Sequence, residues 1–424
     1  MRVRWLVTAA AIAALAVGVA ACGGKSSGGG GTAKGKTLTI YSSLPLQGTS
    51  RVQSVDVING EKLALTSAGS AVGKCKLAYK SLDDSTAAVG SWDPGQTSAN
   101  ARKAAQDEST IGYLGEFNSG ASAVSIPILN QAGIMQISPS NTALELTKSP
   151  GPAGKGAPDK YYPTGKRTYA RVVPADHIQG AAQADWMKEL GVKKLYIVND
   201  KQVYGAGVAK TTSDAAKLHG IQVLGNEGID PKAPNYRSLA SKIKAAGADA
   251  VFFGGIVDNN AAQFFKDVGA ALPNARLFGP DGVATASFTK AIPTSVQKRS
   301  YLTVATIKPA DYPPAGQKFF KDFQAKYGKK PEPYAIYGDE AMGLLLDAMK
   351  RAGADCNNRQ KVIDQVFATK NRKSLLGTYS IDKDGDTTLN DFGRYTVKNG
   401  ALVNLTSVKV LKDSYGKPLG TGGG

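Results

Sequence analysis

The side chains able to carry chemistry in this chain are few in kind. His177 and His219 are its only histidines and Cys22, Cys75 and Cys356 its only cysteines. A zinc site or a histidine-based catalytic relay would consume nearly every candidate, so no metal and no such catalysis is expected. Tyr204-Gly205-Ala206-Gly207-Val208-Ala209-Lys210 sets a glycine turn ahead of a helix, yet the third glycine of a dinucleotide fingerprint is missing and no acidic residue closes the following strand. No nucleotide cofactor is expected. No Walker sequence or G-x-S-x-G elbow is present. Asp382-Lys383-Asp384-Gly385-Asp386 has the charge density of a calcium loop, but its glycine stands fourth and no Glu closes the twelfth place; it reads as a β-turn. The chain is expected not to be an enzyme.

What remains is recognition chemistry, grouped where apolar runs end. Glu116-Phe117-Asn118-Ser119-Gly120 precedes a helical stretch, so the Ser119 hydroxyl either meets an anion at the helix N-terminus or serves as a plain cap. Ser138-Pro139-Ser140-Asn141-Thr142 repeats the arrangement after the next run, and two such starts side by side make a cradle for a carboxylate. Asn199-Asp200-Lys201 to Tyr204 and Phe278-Gly279-Pro280-Asp281-Gly282 end runs in the second half. There Asp281 supplies either a turn or a fixed negative charge for an ammonium, and Tyr204 a rigid amphipathic wall.

The elements that must position these groups alternate. Leu38–Tyr41, Lys76–Tyr79, Ile111–Leu114 and Ile134–Ile137 read as strands, and the rhythm returns at Lys194–Val198, Ile221–Leu224, Ala250–Phe253 and Arg276–Phe278 with helical stretches between. Strands apolar on both faces belong to parallel sheets covered by helices, so two doubly wound α/β units are expected. In such sheets ligands bind beyond the carboxyl ends of the strands, where the polar clusters stand. Ser149 to Thr168, rich in Pro, Gly, Lys and Tyr, reads as a solvated surface loop near the boundary between units. Arg394–Val397 and Leu402–Leu405, turned by Lys398-Asn399-Gly400, read as a hairpin at a sheet edge.

Composition narrows the class. At 42% hydrophobic and 20% charged, the chain can bury a substantial core. The net charge of +18 comes from scattered basic residues with only 8% aromatics, a solvated basic surface rather than a nucleic-acid stripe. Met1-Arg2-Val3-Arg4 followed by the Ala-rich apolar run Trp5 to Ala21 is an export signal. Val19-Ala20-Ala21-Cys22-Gly23 resembles the bacterial lipobox, which implies lipidation of Cys22. The Gly/Ser tract after it reads as a flexible tether. Cys75 and Cys356 then remain, either bridged or as two buried thiols in a compartment that tolerates disulfides.

Taken together, Gly115–Ser119, Ser138–Thr147, Asp200–Gly207 and Phe278–Ala284 resemble the type I periplasmic binding proteins of branched-chain amino acid ABC importers, the Leu/Ile/Val-binding group, over about Lys36 to Leu411. The resemblance implies two Rossmann-like doubly wound lobes joined by three crossovers, closing on a ligand by a hinge motion. It implies that Ser119 and Thr142, with backbone around Ser140 and Asn141, hold the ligand carboxylate, that Tyr204 faces it from the second lobe, and that Asp281 receives the α-ammonium. Gln47, Asn118 and Ile256 are further candidates for the site. The pattern departs from the family in Asp281, commonly a Glu, in Ile256, where leucine binders place an aromatic, and in the absence of an aromatic wall residue after Ser43–Gly48.

The expected organisation is a signal peptide at 1–22, a tether at 23–36, one lobe from 37–168 with 306–392, a second from 169–305 with 393–412, and a disordered tail at 413–424. The expected function is that of a monomeric solute-binding lipoprotein on the outer face of the cytoplasmic membrane. It would capture a branched-chain or related amino acid, or a similar small carboxylate, and deliver it to an ABC permease without chemistry, cofactor or nucleic acid. An extracytoplasmic sensor on the same fold, or an importer component for short amides, urea or aromatic acids, are the alternative readings.

Overall fold

The computed structural model describes residues 31–149 and 156–420; Cys22 and the export signal lie outside the described residues. Six strands form the first sheet: β1 (Thr37–Leu44), β2 (Ala71–Val72), β3 (Cys75–Asp83), β4 (Thr110–Gly115), β5 (Met135–Ser138) and β6 (Tyr169–Arg171). Their order is β2-β3-β1-β4-β5-β6, parallel except at β2. β7 (Lys194–Asn199), β8 (Gln222–Gly228), β9 (Ala250–Gly254), β10 (Arg276–Gly279) and β11 (Ser300–Val304) build the parallel part of the second sheet. A small hairpin of β12 (Arg372–Ser374) and β13 (Gly377–Tyr379) forms a sheet of its own, and β14 (Asp391–Lys398) and β15 (Ala401–Lys409) complete the order β15-β14-β11-β10-β9-β7-β8. Central strands such as β4, β5 and β9 are buried on both faces, as helices on either side of a parallel sheet require. The terminal hairpin turns through Asn399 (φ 53°) and Gly400 (φ 72°), both in the left-handed region that a two-residue hairpin turn demands.

The chain passes between the lobes three times: after β6 into the helix Asp176–Glu189, after β11 into the helix Pro314–Tyr327, and before β14. Val172, Val173, Ala305 and Ile307 from these crossings are buried in the same core as Ile336, Leu344 and Leu345 of the helix Ala335–Ala352. The crossings are therefore packed rather than loose. Cys75, at the start of β3, is disulfide-bonded to Cys356, a sequence separation of 281. A closure that long removes roughly 5 kcal/mol of unfolded-chain entropy in the loop model.

Four sequence expectations are corrected. Tyr169 to Arg171 belongs to the first sheet, paired to β5, because three residues are too short to carry a strand period but long enough to fill an open edge. The tether ends before its expected limit, since Ala33 is buried and its N–H donates to Asn357 O at 2.7 Å. The expected tail begins too early, since Asp413 and Ser414 are buried and the Ser414 N–H donates to His177 O at 2.8 Å. Within the expected solvated loop, Tyr161 and Tyr162 are buried, and their hydroxyls donate to Glu145 and to Leu146 O.

Several acids are folded into apolar surroundings. Glu61, on the helix Arg51–Ser67, is fully buried, and burial pushes its carboxyl up from 4.5 to about 8, although the Tyr79 hydroxyl bonds its Oε2. The native chain thus holds a proton that the unfolded chain releases above pH 4.5, so stability from this group falls as pH rises from there through about 8. The midpoint of thermal unfolding should fall between pH 6 and 9 by a smaller margin in Glu61→Gln than in the unaltered protein; an equal fall in both would show that Glu61 is not the group responsible.

Candidate functional site

Between the lobes lies a cleft into which the C-terminal ends of β4, β5, β9 and β10 all discharge their loops. Ser119, Asn118, Ser140 and Thr142 line it from the first lobe, and Tyr204, Ile256 and Asp281 from the second. Of the sequence-predicted candidates, these seven are brought together.

On the first-lobe side the dominant feature is the N-terminus of the 13-residue helix Ser119–Gln131. Asn118 is its N-cap but makes no side-chain cap, so neither it nor Ser119 is used up in capping. The Ser119 hydroxyl instead accepts from Ala143 N–H at 3.3 Å, which fixes its oxygen beside the second loop while leaving its own proton available. Thr142 Oγ1 is buried with no hydrogen-bond partner among the described residues. Free N–H groups, the helix dipole and two hydroxyls at one point favour a negative group.

Across the cleft the sign reverses. Asp281 Oδ1 accepts from the Tyr204 hydroxyl at 2.8 Å and Oδ2 from the Tyr334 hydroxyl at 2.7 Å. Burial raises the Asp281 pKa, while the Tyr334 and Tyr204 bonds work against the rise. The carboxylate is thus held by one phenol from each side of the cleft. A carboxylate has about four acceptor sites, and two are occupied. Tyr204 stands on the helix Val203–Leu218, which presses close on the sheet: a Cβ at Gly205 would sit 2.1 Å from Asp200 Oδ1 and 2.5 Å from Gly254 O. The glycine turn noted in the sequence therefore serves helix-to-strand contact.

Two predicted residues do not reach the cleft, and a third lines it with its side chain already engaged. Asn141 is fully buried behind the wall, its Nδ2 donating to Glu116 O and Phe117 O at 3.0 and 2.9 Å and its Oδ1 accepting from Tyr169. It staples the two first-lobe loops to each other. Gln47 turns away, its Nε2 donating to Asp83 Oδ2 at 2.9 Å. Ser140 lines the cleft, but its hydroxyl donates to Phe117 O at 2.8 Å. Both histidines lie elsewhere: His177 is held by burial down to about 4, and His219 pairs with Asp185.

Sequence reasoning missed three groups. Tyr334 sits between a proline and the helix Ala335–Ala352, with nothing local to mark it as a cleft residue. Gln53 lines the cleft from the first turn of Arg51–Ser67; polar residues at buried helix positions are the signal that would have found it. Asp176, at the first crossing, is fully buried; burial pushes its carboxyl up to about 8, and the neighbouring Thr142 hydroxyl works against that rise. The acidic turn at 382–386 is closed by Asp382 N–H to Asp386 O, and the Lys148 ammonium occupies it, 3.0 Å from Asp386 and 2.5 Å from Asp382. The β-turn reading therefore stands over the calcium loop.

The lobes meet in bonds that require no ligand. Asp258, from the second lobe, accepts from the N–H groups of Thr49 and Ser50 at 2.9 and 3.1 Å and from both their hydroxyls. Its carboxylate thereby sits at the start of the first-lobe helix Arg51–Ser67, where the dipole favours it. Trp92 Nε1 donates across to Gln202 Oε1 at 3.3 Å. Asp258→Ala should enlarge the radius of gyration of the ligand-free protein by small-angle scattering and leave the ligand-bound value unchanged. An unaltered ligand-free value would remove Asp258 as the clasp.

Known proteins resemble this chain over nearly all of its described length. An amino acid binding protein from Pseudomonas aeruginosa is 25% identical over 349 residues, 82% of this chain and 83% of its own length. A Leu/Ile/Val-binding protein homolog from Brucella abortus is 26% identical over 361 residues, covering 84% of this chain and 90% of the relative. The crystal structure of a leucine binding protein from Thermotoga maritima superposes with a TM-score of 0.76 at 21% identity, over 88% of this chain and 99% of that one. The profile of the family described as periplasmic binding protein matches residues 38–401. The chain belongs to the periplasmic binding protein family, a family of extracytoplasmic binding proteins rather than enzymes.

Proposed function

We propose that this protein is the lipid-anchored solute-binding component of an ABC importer, capturing an α-amino acid between its lobes and delivering it to a permease. The single observation that carries the ligand class is the opposed polarity of the cleft. A helix N-terminus with the Ser119 and Thr142 hydroxyls faces a carboxylate, Asp281, held by Tyr204 and Tyr334. A zwitterion satisfies both ends at once; a simple carboxylic acid would leave the buried Asp281 without a counter-charge. The relatives' names, which include leucine, isoleucine and valine, support an amino acid of the branched-chain or a related class. Lipidation at Cys22 and a Gly/Ser tether would keep the protein near its permease.

Mechanically, a ligand that touches Ser119 on one lobe and Asp281 on the other stabilises the closed form, and a permease that discriminates closed from open reads that population. Each lobe alone offers half of the contacts, so affinity is realised on closure.

The test is calorimetric titration of the purified protein, unfolded and refolded to strip carried-over ligand, with the common amino acids and with matching acids that lack the α-ammonium. Amino acids should bind and their deaminated analogues should not. Asp281→Asn should weaken binding at least thirtyfold, since removing a partner from a buried charge pair costs about 2 to 5 kcal/mol. Undiminished affinity in Asp281→Asn, or preference for the deaminated acids, would overturn the proposal.

A further inference from the structure

With the ends of an amino acid assigned as above, on which this inference rests, the rest of the cleft surface faces the ligand side chain. That surface is not aliphatic. Gln53 and Asn118 line it from the first lobe with 2% and 6% of their surface exposed, and neither side-chain oxygen has a hydrogen-bond donor among the described residues. Gln202 adds a third carboxamide from the second lobe, its oxygen accepting from Trp92. Among the described residues, Ile256 from the second lobe and Phe117 from the first are the wholly apolar side chains on the wall.

A buried carboxamide with no partner is costly when an apolar group is pressed against it, because its hydration is lost and nothing replaces it. Gln53 and Asn118 lie on separate elements, Arg51–Ser67 and the loop after β4. Two independent segments therefore present the same chemistry to one cavity. Each carboxamide offers an acceptor and donors in one plane, so a group that both donates and accepts, such as a hydroxyl, carboxamide or ureido group, matches them and a branched alkyl group does not. We infer that Gln53 and Asn118 are specificity-determining residues that select an amino acid with a polar, uncharged, hydrogen-bonding side chain over its aliphatic isostere. A site built to hydrogen-bond a ligand group discriminates strongly against the analogue lacking it, since its own polar groups are then left unpaired.

Isosteric pairs isolate this effect. Threonine against valine and asparagine against leucine, titrated into the refolded protein by calorimetry, should each show the polar member binding at least tenfold tighter. Gln53→Leu should shrink or reverse that ratio while still binding amino acids over their deaminated analogues; Asn118→Leu is the second variant should the first fail to fold. Valine or leucine binding as tightly as its polar partner would overturn the inference and leave the amino-acid reading standing. If neither kind of amino acid bound while deaminated acids did, the amino-acid reading would fall and this inference with it.

Discussion

The buried guanidinium of Arg171 ties the loop after β5 to the turn ahead of the third crossing. It lies on the short edge strand β6, is fully buried, and bonds Asp386 at 2.8 Å, Ala143 O at 2.8 Å, Asn141 O at 3.2 Å and the Thr147 hydroxyl. A charge in that setting must be completely partnered, because leaving a buried ion uncompensated costs about 3 to 5 kcal/mol. Its demand for acceptors shapes the 141–147 loop, which carries Thr142, and draws in the 382–386 turn just ahead of the third crossing. Burial pushes Asp386 up, but the Arg171 and Lys148 cations outweigh it and hold the carboxyl well below the usual carboxylate range. One ion pair thus couples the anion-facing wall of the cleft to the hinge region.

From that anchor the rest of the site follows by short steps. Asn141, pinned behind the wall by Glu116 O and Phe117 O, locks the two first-lobe loops into one surface. On the other lobe Asp200 plays the equivalent part, accepting from Asn259 Nδ2 at 2.7 Å and from Ile256 N–H at 3.3 Å, while Val257 N–H donates to Gly282 O at 2.9 Å. The groups left facing the cleft do so because their neighbours are already committed to holding backbone. Groups of opposed polarity then face each other across a desolvated gap, where electrostatic interactions are strongest.

Much of this was legible in the chain itself. Ser119, Thr142, Tyr204 and Asp281 stand at the ends of apolar runs, and the rule that parallel sheets bind at their carboxyl edges suffices to gather them. Asn141 carries the same kind of signal as Thr142 but turns inward. One residue along a loop reverses a side chain, and nothing local says which way. Gln47 and Ser140 stand in the same kind of loop, yet their polar side-chain atoms meet Asp83 and Phe117 O instead of the open cleft.

The alternation of the longer strands with helices, the apolar runs of both sheets, the polar clusters at their ends and the pairing partners available to three cysteines are properties of composition and local pattern, and the sequence alone determined them. Tyr334, Gln53 and Asp258 belong to the other category. Each reaches the cleft or its mouth from a segment far away in the chain: Tyr334 lies 53 residues from the Asp281 it bonds, and Asp258 lies 208 residues from Ser50. Only the packing of two lobes around shared crossings brings such residues within hydrogen-bond range, because the pattern that makes a helix or strand is local and the pairing of lobes is not.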